Sequence, residues 1–156
     1  MSLKKYKPYL KSIAFPWAIG GISAFITLKG MHYYEMQEKP FFTPPNFVFP
    51  IVWTILYTLM GISAAKVGMS SDPKKKEALR TYYLQLAVNF LWSVLFFGFH
   101  SYFLAFLSLL LLIILIINMI KEFAQIELNA AKLQIPYLIW CCFAAILNFS
   151  VWWLNR

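Results

Sequence analysis

Three segments of this chain each set an indole beside an amide or a small residue at helical spacing, and that combination can bind a flat aromatic molecule. Gln85, Asn89 and Trp92 fall at i, i+4 and i+7, so a helix over them presents all three on one face. Trp53, Leu56, Tyr57 and Met60 form a second stripe, and Trp140, Ala144, Leu147 and Asn148 form a third. Indole faces stack on planar rings, and a side-chain amide can orient a carbonyl or a carboxylate. Each stripe also has a plainer reading. Aromatic stripes fill cores, an amide among apolar helices can bond to a neighbouring helix, and a small Ala144 can admit either a ligand edge or another backbone. On periodicity alone core packing is the stronger reading, and an apolar pocket with a few orienting polar groups is the alternative that the convergence of three stripes allows.

Other chemistries find less support. His32 and His100 are the only histidines and lie in separate connections, with no Cys–His haem-attachment pattern and no carboxylate cluster, which argues against a metal site or axial haem ligation. No Asp, Glu, Lys or Arg lies deep in an apolar run, as a proton relay or ion-coupled pump would require. No nucleophile–base pair suited to hydrolysis is evident. Cys141 and Cys142 are adjacent, too close along the chain for an ordinary disulfide, and read as buried thiols acting as small hydrophobes.

The elements that must position these residues are membrane helices. With 61% hydrophobic and only 13% charged residues, the chain is too apolar for a water-facing surface. A hydrocarbon core of about 30 Å needs roughly 20 apolar residues per helix. Five runs meet that need, at about 12–28, 47–65, 82–99, 102–120 and 133–154. The expected fold is an all-α membrane protein, one bundle of five transmembrane helices spanning residues 1–156. Period-2 alternation is absent, and the unbroken Leu109–Ile117 run would put apolar side chains on both faces of a strand, so a membrane barrel is rejected. Lys4, Lys5, Lys7 and Lys11 precede the first run as they would a leader, but no small-x-small cleavage site follows. The run is read as a spanning helix bent at Pro16.

Five spans place Lys4, Lys5, Lys7, Lys11, Lys66, Lys74, Lys75, Lys76, Arg80, Lys121 and Lys132 on one side and Lys29, Lys39 and Arg156 on the other. The positive-inside rule then puts the N-terminus in the cytoplasm, and the first long loop and the C-terminus outside. The same asymmetry explains the net charge of +8 without nucleic acid, while anionic lipid headgroups are natural neighbours of Lys74–Lys76. Trp152 and Trp153, and with them Trp17, read as interfacial anchors. The connection 29–45 carries Tyr33, Tyr34, Lys39, Pro40, Phe41, Phe42, Pro44 and Pro45. Proline stiffens such a segment, which can act as a lid over the bundle or lie flat among headgroups.

Three ordered motifs now stand together. They are Tyr34-x-x-x-x-Lys39-Pro40 with Pro44-Pro45 and Trp53-x-x-Leu56-Tyr57-x-x-Met60-Gly61; Gln85-Leu86-x-x-Asn89-x-x-Trp92-Ser93-x-Leu95-Phe96-Phe97-Gly98; and Pro136-Tyr137-x-x-Trp140-x-x-Phe143-Ala144-x-x-Leu147-Asn148. The chain resembles the TspO/translocator-protein family, the tryptophan-rich sensory proteins related to the peripheral benzodiazepine receptor. That resemblance implies five transmembrane helices, frequent pairing as a homodimer, and a ligand pocket in the upper bundle beneath the first long loop. Members bind porphyrins such as protoporphyrin IX and haem-related tetrapyrroles, benzodiazepine-like ligands and, in animals, sterols. Carried over by motif, the ligand-binding set is Tyr34, Trp53, Asn89, Trp92, Trp140, Ala144, Leu147 and Asn148, and the lid is Lys39, Pro40, Phe42, Pro44 and Pro45. Some bacterial members are described as degrading porphyrin under light; Trp53 and Trp140 are the candidate catalytic residues if that holds here.

Two departures stand out. Tyr33-Tyr34 replaces the family's Trp-Tyr, and Phe42 replaces a Trp two residues before the prolines, so a ring survives at each place without its indole chemistry. The sterol pattern of animal members lacks its Tyr after Leu147, which disfavours sterol binding. Gly61-x-x-x-Ala65 is the nearest small-x-x-x-small pair for self-association. The expected protein is therefore a receptor, sensor or carrier of the bacterial plasma membrane with porphyrin as ligand and no required cofactor. A porphyrin-degrading enzyme and a ligand-free structural subunit are the alternatives.

Overall fold

Apolar runs broken by Pro, Asp and Lys connections fold as helices because a chain in lipid must satisfy its backbone groups within each segment. The computed structural model describes residues 6–156, which are helical almost throughout and contain no strand. Lys4 and Lys5 of the cationic N-terminal cluster lie outside the described residues. The elements are α1 (Lys7–Glu35), α2 (Val48–Gly68), α3 (Lys75–Ser93) with a π-helical turn at Val94–Gly98, α4 (Tyr102–Ile126), the short α5 (Leu128–Leu133) and α6 (Ile135–Asn155). Helix α1 packs on α2, α3 and the π-helical turn. Helix α4 packs on α3 and α6, and α5 closes the circuit to α2.

Four helical stretches, Lys7–Glu35, Val48–Gly68, Tyr102–Ile126 and Leu128–Asn155, are long and apolar enough to cross a bilayer. The chain is an all-α integral membrane protein. Helix α3 is the fifth rod of the bundle and the most polar. It opens with Lys75, Lys76, Glu77 and Arg80 and turns Gln85 and Asn89 into the core, where both are essentially unexposed. The two ends of the bundle are marked by contacts. At one end the Lys66 ammonium lies 5.9 Å from the Tyr9 ring and Lys74 Nζ lies 3.5 Å from Gln125 Oε1. At the other, Tyr33 stacks on His100 at 3.9 Å.

The helices outrun the apolar runs that reveal them. Helix α1 continues through 29–35, so the connection expected from residue 29 begins only after Glu35. Helix α3 starts seven residues before Tyr82, and the 121–132 connection is itself helical apart from a break at Glu127. The physical reason is that charge marks where hydrocarbon ends, whereas a helix ends where its backbone bonds do. At 29 residues α1 spans about 43 Å, well beyond a hydrocarbon core of about 30 Å. It runs on through Pro16.

Close backbone packing is bought by small residues. A Cβ on Gly61 would overlap the backbone of Ile13, and one on Gly30 would overlap the Phe97 carbonyl. Gly61 and Ala65 are thus buried within the chain, joining α2 to its own neighbours rather than to a second copy. Trp17, read as an interfacial anchor, is half-exposed on α1, and its indole N–H donates to Thr58 Oγ1 of α2 at 2.9 Å. One further expectation is corrected. Of the two thiols only Cys141 is buried; Cys142, 100° further round the helix, is exposed.

Candidate ligand-binding site

The upper halves of α1, α2, α3 and α6 diverge around a cavity of about 460 Å³. Tyr34, Trp53, Trp92, Trp140, Ala144, Leu147 and Asn148 all line it, so seven of the eight residues singled out in the sequence converge on one space. Three helices each contribute an indole because each stripe faces inward at its own helical repeat. Trp53 and Trp92 tilt against each other with centroids 6.1 Å apart, and Trp53 stacks on Tyr57 at 5.5 Å. Trp140 stands apart from that pair, packed on Phe143 at 5.4 Å and Phe49 at 6.0 Å.

Hydrogen bonds hold these rings. The Trp92 indole N–H donates to Asn148 Oδ1 at 2.9 Å, and Asn148 Nδ2 donates to the Tyr102 carbonyl at 2.9 Å. Asn148 therefore borders the cavity with both ends of its amide engaged, and its part is to hold the indole of α3 against α6 and α4. Asn89 is the eighth residue and does not line the cavity. Its Oδ1 accepts from the Tyr57 hydroxyl at 2.9 Å, and its Nδ2 donates to the Tyr137 oxygen at 2.8 Å. Tyr137 in turn donates to Gln85 Oε1 at 2.6 Å. This buried chain lies behind the cavity wall and ties α2, α3 and α6 together, with Tyr57 as its one member on the lining.

The connection 36–47 is tied down along its length. Lys39 Nζ donates to the carbonyls of Tyr34 and Glu35, closing the open end of α1, and lies 4.9 Å from the Tyr34 ring. The Asn155 side chain of α6 pairs with both backbone groups of Glu38, accepting from its N–H at 2.9 Å and donating to its carbonyl at 2.8 Å. Phe42 rests on Phe143, 6.2 Å between centroids, while Phe41 is 99% exposed. None of Lys39, Pro40, Phe42, Pro44 and Pro45 lines the cavity itself; the connection reaches it through Asn46 and Phe47. Pro44 instead borders a shallow apolar groove between α2 and α6 that shares Trp140 and Phe143 with the cavity.

Sequence reasoning missed the contribution of α1. Gly20, Ser23, Ala24 and Thr27 form one cavity wall, and their small-residue spacing of three to four was a readable signal. Phe96 and Phe97 stood in the second motif but were not assigned to the site, and the π-helical turn places both on the lining; the extra residue in that turn leaves no mark in apolar periodicity.

With this geometry in place, comparison with known proteins is decisive. The TspO/MBR family model matches residues 12–154. The chain belongs to the TspO/MBR family. It is 39% identical over 148 residues to the tryptophan-rich protein TspO of Archaeoglobus fulgidus, covering 92% of this chain and 94% of that one. Protein CrtK of Rhodobacter capsulatus is 36% identical over 157 residues, covering 99% and 95%. The translocator protein of Sus scrofa is 33% identical over 156 residues, covering 96% and 92%. This TspO/MBR member is thus similar along nearly its whole length to archaeal, bacterial and animal relatives.

Proposed function

We propose that this TspO/MBR protein is an intramembrane receptor or carrier for planar, mostly apolar aromatic molecules. Porphyrins such as protoporphyrin IX and related tetrapyrroles are the first class, and benzodiazepine-like ligands the second. The observation that carries the reading is the shared cavity with an indole on three of its walls. Its volume falls within the range of about 300–1,000 Å³ typical of small-molecule sites. Tyr57, Trp92 and Asn148 already spend their polar atoms on one another or on neighbouring residues. The Ser23 hydroxyl and the Trp140 indole N–H, both on the lining, are buried without a partner, so affinity would come mainly from ring stacking and apolar burial with these two groups left to bond a ligand. The porphyrin is the ligand in this reading and no resident cofactor is needed. The excess of Lys and Arg at the Lys66–Lys74 end supports a cytoplasmic N-terminus with the cavity in the outer half of the membrane, and family resemblance supports pairing as a homodimer.

Titration of the purified protein with protoporphyrin IX, followed by tryptophan emission, tests the proposal. Saturable quenching is expected in the natural protein. Ala144→Phe, which pushes a ring into the cavity from α6, is expected to weaken binding at least about tenfold while helical circular dichroism is preserved. Absence of saturable quenching in the natural protein, or equal affinity in the variant, would overturn it.

A further inference from the structure

The inner end of the cavity carries a hydroxyl that the protein itself leaves free. Ser23 lines the cavity from α1 and is only 6% exposed, yet its Oγ completes no hydrogen bond among the described residues. A hydroxyl inside an apolar helix can return its proton to the carbonyl one turn back. Thr27 does so on the same wall, donating to the Ser23 carbonyl at 2.8 Å. Ser23 does not. Helix α1 rises about 18 Å between Ser23 and Glu35, the lining residue at its outer end, so this free proton lies deep in the cavity rather than at its mouth.

The surroundings decide what the hydroxyl can bond. A Cβ on Gly20 would meet the Tyr57 ring at 2.7 Å, so that ring lies hard against this stretch of α1. The Ser23 Oγ comes close to the Tyr57 hydroxyl without completing a hydrogen bond to it. Tyr57 gives its own proton to Asn89 Oδ1 at 2.9 Å, and the chain runs on through Tyr137 to Gln85. Of this pair of hydroxyls, Ser23 holds the proton that is not yet engaged. On the α6 wall the Trp140 indole N–H is also without a partner, and an indole nitrogen can only donate. The Asn148 oxygen, by contrast, already accepts from Trp92. These inner walls therefore offer protons in an otherwise apolar space, where a donor left unmet is costly.

We infer that Ser23 is a specificity-determining residue of the cavity: its hydroxyl donates to a hydrogen-bond acceptor on the innermost edge of a planar ligand, favouring ring systems with a carbonyl oxygen there over those with an all-alkyl edge. The inference rests on the planar-ligand reading above and narrows it from a flat ring to a flat ring with an acceptor on its leading edge. The carbonyl of an ester, an amide or a carboxyl group meets the requirement, and the propionic side chains of protoporphyrin IX supply one.

The test titrates two porphyrins into the natural protein, Ser23→Ala and Thr27→Val, with tryptophan emission as the readout. Protoporphyrin IX carries two propionic side chains, whereas etioporphyrin has the same macrocycle and only alkyl groups around it. Ser23→Ala removes the free hydroxyl with little change of shape. It is expected to weaken protoporphyrin IX at least about threefold, the size of one hydrogen bond, and to leave etioporphyrin within about twofold. Thr27→Val deletes a hydroxyl already engaged by the α1 backbone and is expected to move neither porphyrin by more than about twofold. If protoporphyrin IX binds the natural protein but Ser23→Ala weakens neither porphyrin, weakens both alike, or does no more than Thr27→Val, the donor role is refuted and the cavity reading stands. If protoporphyrin IX does not bind the natural protein saturably, the cavity reading fails and the donor role falls with it.

Discussion

Two asparagines that look alike in the sequence have different positions relative to the cavity. Asn148 borders it and fixes an indole, whereas Asn89 lies behind the wall and bonds to two tyrosines. Removing Asn89 would take away the acceptor of the Tyr57 hydroxyl and the donor to the Tyr137 oxygen in a region where all three residues are buried. An orphaned buried polar group costs about 1–3 kcal/mol, although interhelical bonds within a membrane average nearer the low end. Asn89→Leu is therefore expected to lower unfolding stability by about 1–3 kcal/mol in a reversible detergent-denaturation experiment. Its effect on porphyrin affinity should be smaller than that of Ala144→Phe. A stability loss within error of zero would show that the buried chain is not structural. The spacing of Gln85, Asn89 and Trp92 established that all three face inward, but helical spacing cannot say whether an inward amide meets a ligand or a tyrosine.

At the scale of elements, the connection 36–47 behaves as a strap fastened at several points rather than as a free lid. Lys39 holds its start to α1, Asn46 ties its end back to Glu35, and Asn155 clasps Glu38 across 117 residues of sequence. The Asn155 clasp is the only one of these that reaches α6. Asn155→Ala removes two hydrogen bonds of opposite sense to one backbone unit and creates no cavity in the core. Amide hydrogen exchange within 36–43 is expected to speed up about tenfold or more, and bound protoporphyrin IX should dissociate faster with little change in overall stability. Unchanged exchange would mean that the prolines and the ties through Lys39, Phe42 and Asn46 hold the strap without the clasp. Proline density made the stiffness of this segment readable. The clasp was not, since nothing local to Glu38 or Asn155 announces a partner so far along the chain.

For the molecule as a whole, sidedness decides from which compartment the strap is reached. The Lys- and Arg-rich end and the strap end lie at opposite ends of the bundle, which the Lys66–Tyr9 and Glu38–Asn155 contacts establish within the described residues. Phe41→Cys, at a side chain 99% exposed, is expected to react with a membrane-impermeant maleimide from outside intact cells. Ser71→Cys, in the connection between α2 and α3, should react only after the membrane is opened. Labelling of both from one side would discard the five-span topology, and a reversed pattern would invert the orientation. Cys141 is buried and Cys142 lies on a membrane-spanning helix, so a Cys142→Ala background suffices.

Composition and apolar run length determined that this chain lives in a bilayer as a helical bundle, because hydrocarbon leaves a backbone so few ways to satisfy itself. Periodicity chose the inward face of α2, α3 and α6, and motif resemblance chose the indoles. What awaited the folded molecule was everything set by how helices meet: the hollow between them, the exclusion of Asn89 from it, the π-helical turn that brings Phe96 and Phe97 to its edge, and the placing of Ser23 on its α1 wall. Those features depend on distances between residues far apart in the chain, where a shift of one helix by an ångström or two changes which atoms touch, and no pattern within a single segment encodes such a shift.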